Sequence, residues 1–198
     1  MLPSEYKQIV AERGKDQWLN RESDVEDFIS HLKLEFKEIL DLKILDAGCA
    51  QWRDTNLIAD YGMCVDGLDY DKEFVVEAIK NYPKINFVVW KIESTPYSNN
   101  YFDAVYCVNT LFYTNPEESL KELNRILKIN GILYITLDEK IFNIDENKEI
   151  HSLDINETLK LLQNYKILSK KYKERIDEIP FRHKHSFYSL VLKKEKSG

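Results

Sequence analysis

The chain has 198 residues, a length that suits one domain around one core. Its 43% hydrophobic and 31% charged residues are an ordinary globular balance, and its apolar runs are strand-length, so no segment is long enough to cross a membrane as a helix. The net charge of -6 argues against a general nucleic-acid binder, which needs a basic surface to displace counterions. The charge is uneven: from Lys160 onward, eleven Lys or Arg stand against four Asp or Glu. That segment reads as a solvated basic hairpin or as a patch favouring an anionic small substrate. The opening residues show no basic region followed by an apolar stretch, which predicts no secretory leader. Cys49, Cys64 and Cys107 are widely spaced and form no Cys-x-x-Cys pair. They read as small buried hydrophobes in a reducing, cytoplasmic setting.

In chain order, residues 3–13 and 23–40 read as helices, the second opened by a capping box at Ser23 and Glu26. Its apolar positions Val25, Phe28, Ile29, Leu32, Phe36, Ile39 and Leu40 keep the helical repeat. Lys43-Ile-Leu-Asp-Ala47 reads as a short buried strand, and a helix at about 54–61 ends at Gly62. A second strand spans Cys64 to Asp69, Asp71 caps the next helix, and Ile85 to Trp90 makes a third strand. Residues 91–100 read as loop and Phe102 to Val108 as the fourth strand. Asn115-Pro116-Glu117-Glu118 is a helix start, and Asn130-Gly131 is the expected stop. Ile132 to Leu137 is a fifth strand, and 138–152 looks like a polar insertion able to fold over the site. Asp154 caps a last helix, and strands at about 165–174 and 186–193 close the chain.

Strands alternate with helices, then two strands follow directly. The expectation is an α/β fold: a doubly wound, mostly parallel seven-stranded sheet, helices on both faces and an antiparallel C-terminal edge hairpin. One domain should span 1–198, with 1–41 a helical cap, 42–137 a ligand-binding core, and 138–198 the insertion, last helix and hairpin. In such sheets ligands bind outside the carboxyl ends of the strands, near the point where strand order reverses. Gly48 ends the first strand and permits a tight turn. Asp69 ends the second and can accept from ribose hydroxyls. By themselves, Gly48 could be only a turn and Asp69 only a cap.

Four blocks in register add to this. Leu45-Asp-Ala-Gly-Cys-Ala-Gln-Trp-Arg-Asp-Thr55, Asp66-Gly-Leu-Asp69, Glu93 through Asp103, and Pro116 through Gly131 together resemble the class I S-adenosylmethionine-dependent methyltransferases. The resemblance covers roughly residues 43–137 and implies S-adenosyl-L-methionine as cofactor, with S-adenosyl-L-homocysteine as product. Carried over by position, Asp46, Gly48, Cys49, Ala50 and Trp52 would surround the methionine end. Asp69 would hold the ribose, and Tyr70, Lys91, Ile92 and Glu93 would lie around the adenine. Cys107 and Asn109 would pass beneath the cofactor. Three positions depart from the family pattern. Ala50 and Trp52 replace the second and third glycines of the first motif, and Lys91 stands where an acid usually receives the adenine amino group. An ammonium cannot accept that hydrogen bond. These departures leave open a methyltransferase-like domain that serves as a non-catalytic binding or regulatory module. An NAD enzyme is less supported, since its phosphate turn needs glycines missing here.

The substrate cleft is expected over Asn109 to Thr114, with Tyr113 and His151 as catalytic candidates. Tyr6, Trp18, Phe112, Arg182 and His183 are candidate substrate contacts. Tyr113 could equally be packed, and His151, Arg182, His183 and His185 could equally face water. No Cys, His or Asp spacing points to zinc. Together these features favour methyl transfer to a small molecule, such as a sugar, antibiotic or other metabolite. They predict a monomer or homodimer with neither nucleic acid nor membrane as partner.

Overall fold

The computed structural model describes residues 23–178 and 182–196. The expected first helix, Tyr6 and Trp18 lie outside the described residues. The chain forms strands β1 (Lys43–Ala47), β2 (Cys64–Asp69), β3 (Asn86–Val89), β4 (Phe102–Cys107), β5 (Leu127–Asn143), β6 (Lys148–Ser152), β7 (Tyr165–Asp177) and β8 (His183–Lys194). Helices are α1 (Val25–Glu35), α2 (Arg53–Ala59), α3 (Lys72–Asn81), α4 (Pro116–Ile126) and α5 (Ile155–Lys160). The sheet order is β3-β2-β1-β4-β5-β8-β7, with β6 added against β5. Strands β1 to β5 pair in parallel, and β8 lies antiparallel to both β5 and β7. The fold is the expected doubly wound α/β sheet with an antiparallel C-terminal hairpin. Among the described residues it carries eight strands rather than seven.

The added strand corrects the reading of residues 138–152. They are not loop: β5 runs on to Asn143, turns through residues 144–147, and returns as β6. Because β8 holds one edge of β5 along its whole upper half, β6 takes the other edge, where β4 has already ended.

The sheet separates two apolar layers by strand alternation. Ile44, Val65, Ala104, Tyr106, Ile132 and Tyr134 face α1, which buries Phe28, Ile29 and Leu32, and α2, which buries Ile58. Each such side chain contributes about 1.5–3 kcal/mol. Leu45, Leu68, Val105, Leu133 and Ile135 face the other way, onto Leu120, Leu123 and Ile126 of α4 and Ile155 of α5.

Three helix starts follow from local side chains. Asp71 accepts from Glu73 N, Asn115 from Glu117 N and Glu118 N, and Asp154 from Asn156 N and Glu157 N. The first described helix departs from expectation. Its cap is Asp24, while Ser23 Oγ accepts from Val25 N and donates to Asp54 Oδ1. It ends at Glu35, and Leu40 is exposed. Helix α4 also ends early, at Ile126 rather than at Asn130-Gly131. Buried Lys194 explains this: its Nζ donates to the carbonyls of Asn124 and Leu127 at 2.6 and 2.7 Å. A lysine thus fills acceptors that a helix C-terminus leaves open.

The basic C-terminal strands meet acidic α1. Lys171 pairs with Asp27, Lys193 with Glu35, and Lys173 with Asp24. The charge asymmetry is therefore in part a docking interaction.

The loop before β4 is pinned on α4 by Glu122. Its Oε1 accepts from Thr95 N and Oγ1 at 2.7 and 2.6 Å, and Arg125 bridges both carboxylate oxygens. These donors hold its carboxyl down to about 2, although desolvation opposes them. The stability it contributes is complete above its ordinary value of 4.5 and is lost as pH falls toward about 2. Glu122→Gln should cost about 1.5–3 kcal/mol at neutral pH in chemical denaturation, with the gap from wild type narrowing as pH falls from about 5 to about 2.

Candidate cofactor and acceptor site

Strand β1 is flanked by parallel β2 on one edge and parallel β4 on the other, so the connection leaving β1 runs to one side and the connection leaving β4 to the other. That divergence opens a crevice at the end of β1. Gly48 turns the chain there with φ of +85°, and its N–H and that of Cys49 both donate to Leu68 O. A Cβ at Gly48 would lie 2.3 Å from Thr110 Oγ1, so the turn and the loop after β4 touch at this point. Both the backbone conformation and the close approach require glycine.

Asp69 sits 7% exposed at the end of β2 and ties the turn to it. Oδ2 accepts from Ala50 N at 2.9 Å and Oδ1 from Asp71 N at 2.8 Å. Asp46, 3% exposed, accepts from Thr55 Oγ1 at 2.6 Å. Burial pushes its carboxyl up to about 8, against the Thr55 hydrogen bond and with help from the nearby charges of Asp54 and Asp69. Gln51 is also buried, and its Oε1 has no hydrogen-bond partner. Neighbouring Asp54 ties α2 to the sheet by accepting from Ser23 Oγ, Arg53 Nε and Tyr106 Oη.

The two replaced glycines keep the backbone that glycine favours. Ala50 has φ of +40° and Trp52 has φ of +68°. Such a conformation is strained for a bulky side chain and persists only where packing holds it. For Trp52 that packing is visible. Its ring lies 6.1 Å from the Tyr82 ring and packs with Val75, Ala78 and Phe87. The indole is turned onto α3.

Other sequence-predicted residues fall around this crevice. Tyr70 is 48% exposed just after β2, Lys91 is exposed, and Ile92 is buried. Glu93 Oε1 accepts from Asn115 N, which joins the loop after β3 to the start of α4. Cys49 and Cys107 are buried, and burial pushes both thiols up, so neither is a ready nucleophile. Asn109 has φ of +55°, donates its N–H to Thr136 Oγ1 at 2.7 Å, and faces Arg175. Phe112 and Tyr113 lie on a 3-10 turn, Leu111–Tyr113, with ring centroids 3.8 Å apart. His151 lies on β6 opposite Ile141, and its side chain is outside what the structure describes.

Strand β8 requires a correction, while Arg182 before it faces water, one of its two expected readings, 3.4 Å from Glu178. His183 and His185 do not face water: they are 6% and 4% exposed. His185 Nδ1 lies 2.8 Å from Asp138 Oδ1, and Phe112 lies 6.2 Å from the His185 ring. Asp138, Asp177 and Arg175 were not singled out by sequence. The alternation Arg175-x-Asp177 and His183-x-His185 hinted at one face, but only the hairpin register brings the four together.

Comparison with known proteins fits this architecture. Residues 45–135 match the family described as "Methyltransferase domain". The uncharacterized protein MJ0638 of Methanocaldococcus jannaschii is 32% identical over 124 residues, covering 58% of this chain and 52% of that protein. The ubiquinone biosynthesis O-methyltransferase of Rickettsia typhi is 29% identical over 117 residues, covering 57% and 47%. The chain thus spans about half the length of the curated relatives it matches. Among solved structures, a TehB-like S-adenosylmethionine-dependent methyltransferase from Corynebacterium glutamicum superposes with a TM-score of 0.66 at 17% identity, covering 98% of this chain and 100% of that one. That likeness is one of fold. The glycine turn, the acid ending β2 and the strand order thus lie within or beside a segment, residues 45–135, that is similar to a methyltransferase domain.

Proposed function

We propose that the chain is an S-adenosylmethionine-dependent methyltransferase acting on a small molecule, such as a sugar, antibiotic or other metabolite. The observation that carries the reading is the acceptor-rich turn after β1. It holds a buried carboxyl with its titration raised to about 8 and a buried amide oxygen without a partner. A ligand bearing an ammonium, a sulfonium and ribose hydroxyls supplies the positive charge and donors that such a turn lacks.

When bound, the cofactor supplies an activated methyl group on a positively charged sulfur. Asp46 would counter the positive charge of the methionine end, and Gly48 lets the backbone come close. Asp69 would take the ribose while holding the turn through Ala50 N. Tyr70, Ile92 and Glu93 would line the adenine side. Exposed Lys91 contributes no acceptor, so Glu93 or backbone groups would meet the adenine amino group. Cys107 and Asn109 would lie beneath the reacting centre, with Asn109 fixed by Thr136 and Arg175.

Over the 3-10 turn, Phe112 and Tyr113 would form an apolar wall that excludes water from the methyl transfer. Tyr113 or His151 is the candidate base where the acceptor must lose a proton. A small acceptor is favoured by the basic strands, whose Lys171, Lys173 and Lys193 are paired with α1 and are not left as a broad phosphate-binding surface. No helix among the described residues is long and apolar enough to cross a membrane. Three free cysteines support a reducing, cytoplasmic setting.

The strained Ala50 and Trp52 favour one rival, a non-catalytic module. Calorimetry with S-adenosylhomocysteine separates the two: absence of binding up to about millimolar concentration sinks the enzyme reading. Because a bound ammonium favours the ionised Asp46, binding should release a proton, and affinity should rise from about pH 6 to about pH 8 and then level. Asp46→Asn should bind more weakly and without that pH dependence.

The same group sets a stability trend in the free protein. A carboxyl raised from 3.8 to about 8 contributes stability in full below 3.8, and that stability is lost as pH rises toward about 8. Thermal unfolding should therefore show wild type weakening from about pH 5 to about pH 8 more than Asp46→Asn does.

A further inference from the structure

Past the end of β4, the sheet continues as β5, β8 and β7, and one face of this extension is polar and buried. The antiparallel register sets Arg175 opposite His185, Asp177 opposite His183, and Asp138 opposite Phe187. Opposed residues share a face, as do residues two apart, so these side chains converge. Asp138 is 3% exposed, Asp177 8%, His183 6% and His185 4%. His185 Nε2 lies 3.3 Å from Asp177 Oδ2, and His183 Nε2 lies 3.9 Å from the same oxygen. One donor atom from each of these three residues falls within 4.8 Å of the others.

We propose that Asp177, His183 and His185 form a binding site for a divalent transition-metal ion of the zinc type. Tetrahedral zinc with bonds of about 2.0–2.2 Å sets its ligand atoms roughly 3.3–3.6 Å apart. The two gaps to Asp177 Oδ2, 3.3 and 3.9 Å, need shifts of at most a few tenths of an ångström, and the two imidazoles, within 4.8 Å of each other, would draw together around the ion. Two imidazoles and one carboxylate suit zinc, cobalt or iron better than calcium or magnesium, which take oxygen ligands.

The surroundings match what metal ligands need. Asp138 Oδ1, 2.8 Å from His185 Nδ1, fixes that ring so that Nε2 faces the other ligands. Arg175 Nε donates to Asp177 Oδ2 at 3.0 Å, which orients the carboxylate from outside. The ion would join the last residue of β7 to the first of β8, closing the hairpin beside Phe112 and Asn109. The competing arrangement is an ion-pair network built on Arg175 and Asp177 without a metal.

The site stands on hairpin geometry and is independent of methyl transfer. The test uses the full chain stripped with chelator, titrated with Zn2+ by calorimetry and with Co2+ by visible absorption. The expected result is one equivalent of Zn2+, and cobalt bands of tetrahedral character. His183→Gln and His185→Gln should each weaken binding by at least about a hundredfold. Asp138→Asn, which keeps shape, should weaken it about 10- to 100-fold. Circular dichroism checks that each variant is folded. Folded wild type that takes up no Zn2+ overturns the proposal in favour of the Arg175 network. So does Zn2+ affinity unchanged in a folded histidine variant, which would place the ion elsewhere. Should both histidine variants fail to fold, Asp138→Asn decides, and unchanged affinity there overturns the proposal.

Discussion

Everything at the ligand-binding end follows from β1 being hydrogen-bonded to parallel strands on both edges. A strand in that position must be apolar on both faces, and Ile44, Leu45 and Ala47 are fully buried. Its continuation must leave the sheet sharply, because the next strand pairs on one side and the strand after β3 returns on the other. Gly48 makes that exit, Thr110 closes against it, and Asp69 reaches across to hold Ala50. Buried Asp46 and Gln51 are a result of this geometry: the turn is tight enough to keep polar groups out of water without supplying all their partners.

A second organising element is the division of charge along the chain. Helix α1 carries Asp24, Asp27 and Glu35 at or near its ends, and the C-terminal strands bring Lys173, Lys171 and Lys193 to them. Half-exposed ion pairs contribute little individually, typically below about 1 kcal/mol. Their value here is orientational: they set how α1 lies across the sheet, while Phe28, Ile29 and Leu32 supply the energy. Tyr134 reinforces the same docking by donating to Asp27 from within the sheet.

What the sequence disclosed and what it concealed divide by the range of the interactions. Asp71, Asn115 and Asp154 were readable as caps because each bonds an N–H two or three residues away. Strands β1, β2 and β4 were readable because buried parallel strands are short apolar runs. The end of α4 was not, since Lys194 holds its carbonyls from nearly seventy residues on. Strand β6 was hidden by polar residues whose pairing depends on a free edge of β5, which no local pattern reveals. The replaced glycines read as a threat to the cofactor turn. The structure keeps their positive φ and sends the Trp52 ring onto α3, a choice made by Tyr82 and Phe87 rather than by neighbours in sequence. His183 and His185 were left between ligand contact and solvent, because a hairpin register cannot be read from one strand alone.

The strand order has a further consequence at its two ends. An open sheet offers unpaired N–H and C=O groups at each border, where another chain could add a strand and start an aggregate. At one border stands β3, only four residues long. At the other stands β7, thirteen residues long, with Lys166, Lys170, Lys171, Lys173 and Arg175 along it. A copy approaching that border would meet a strand dense in charged side chains, several of them already engaged with α1, rather than a flat apolar edge. The basic strand that anchors α1 within one molecule thereby guards the border against the next.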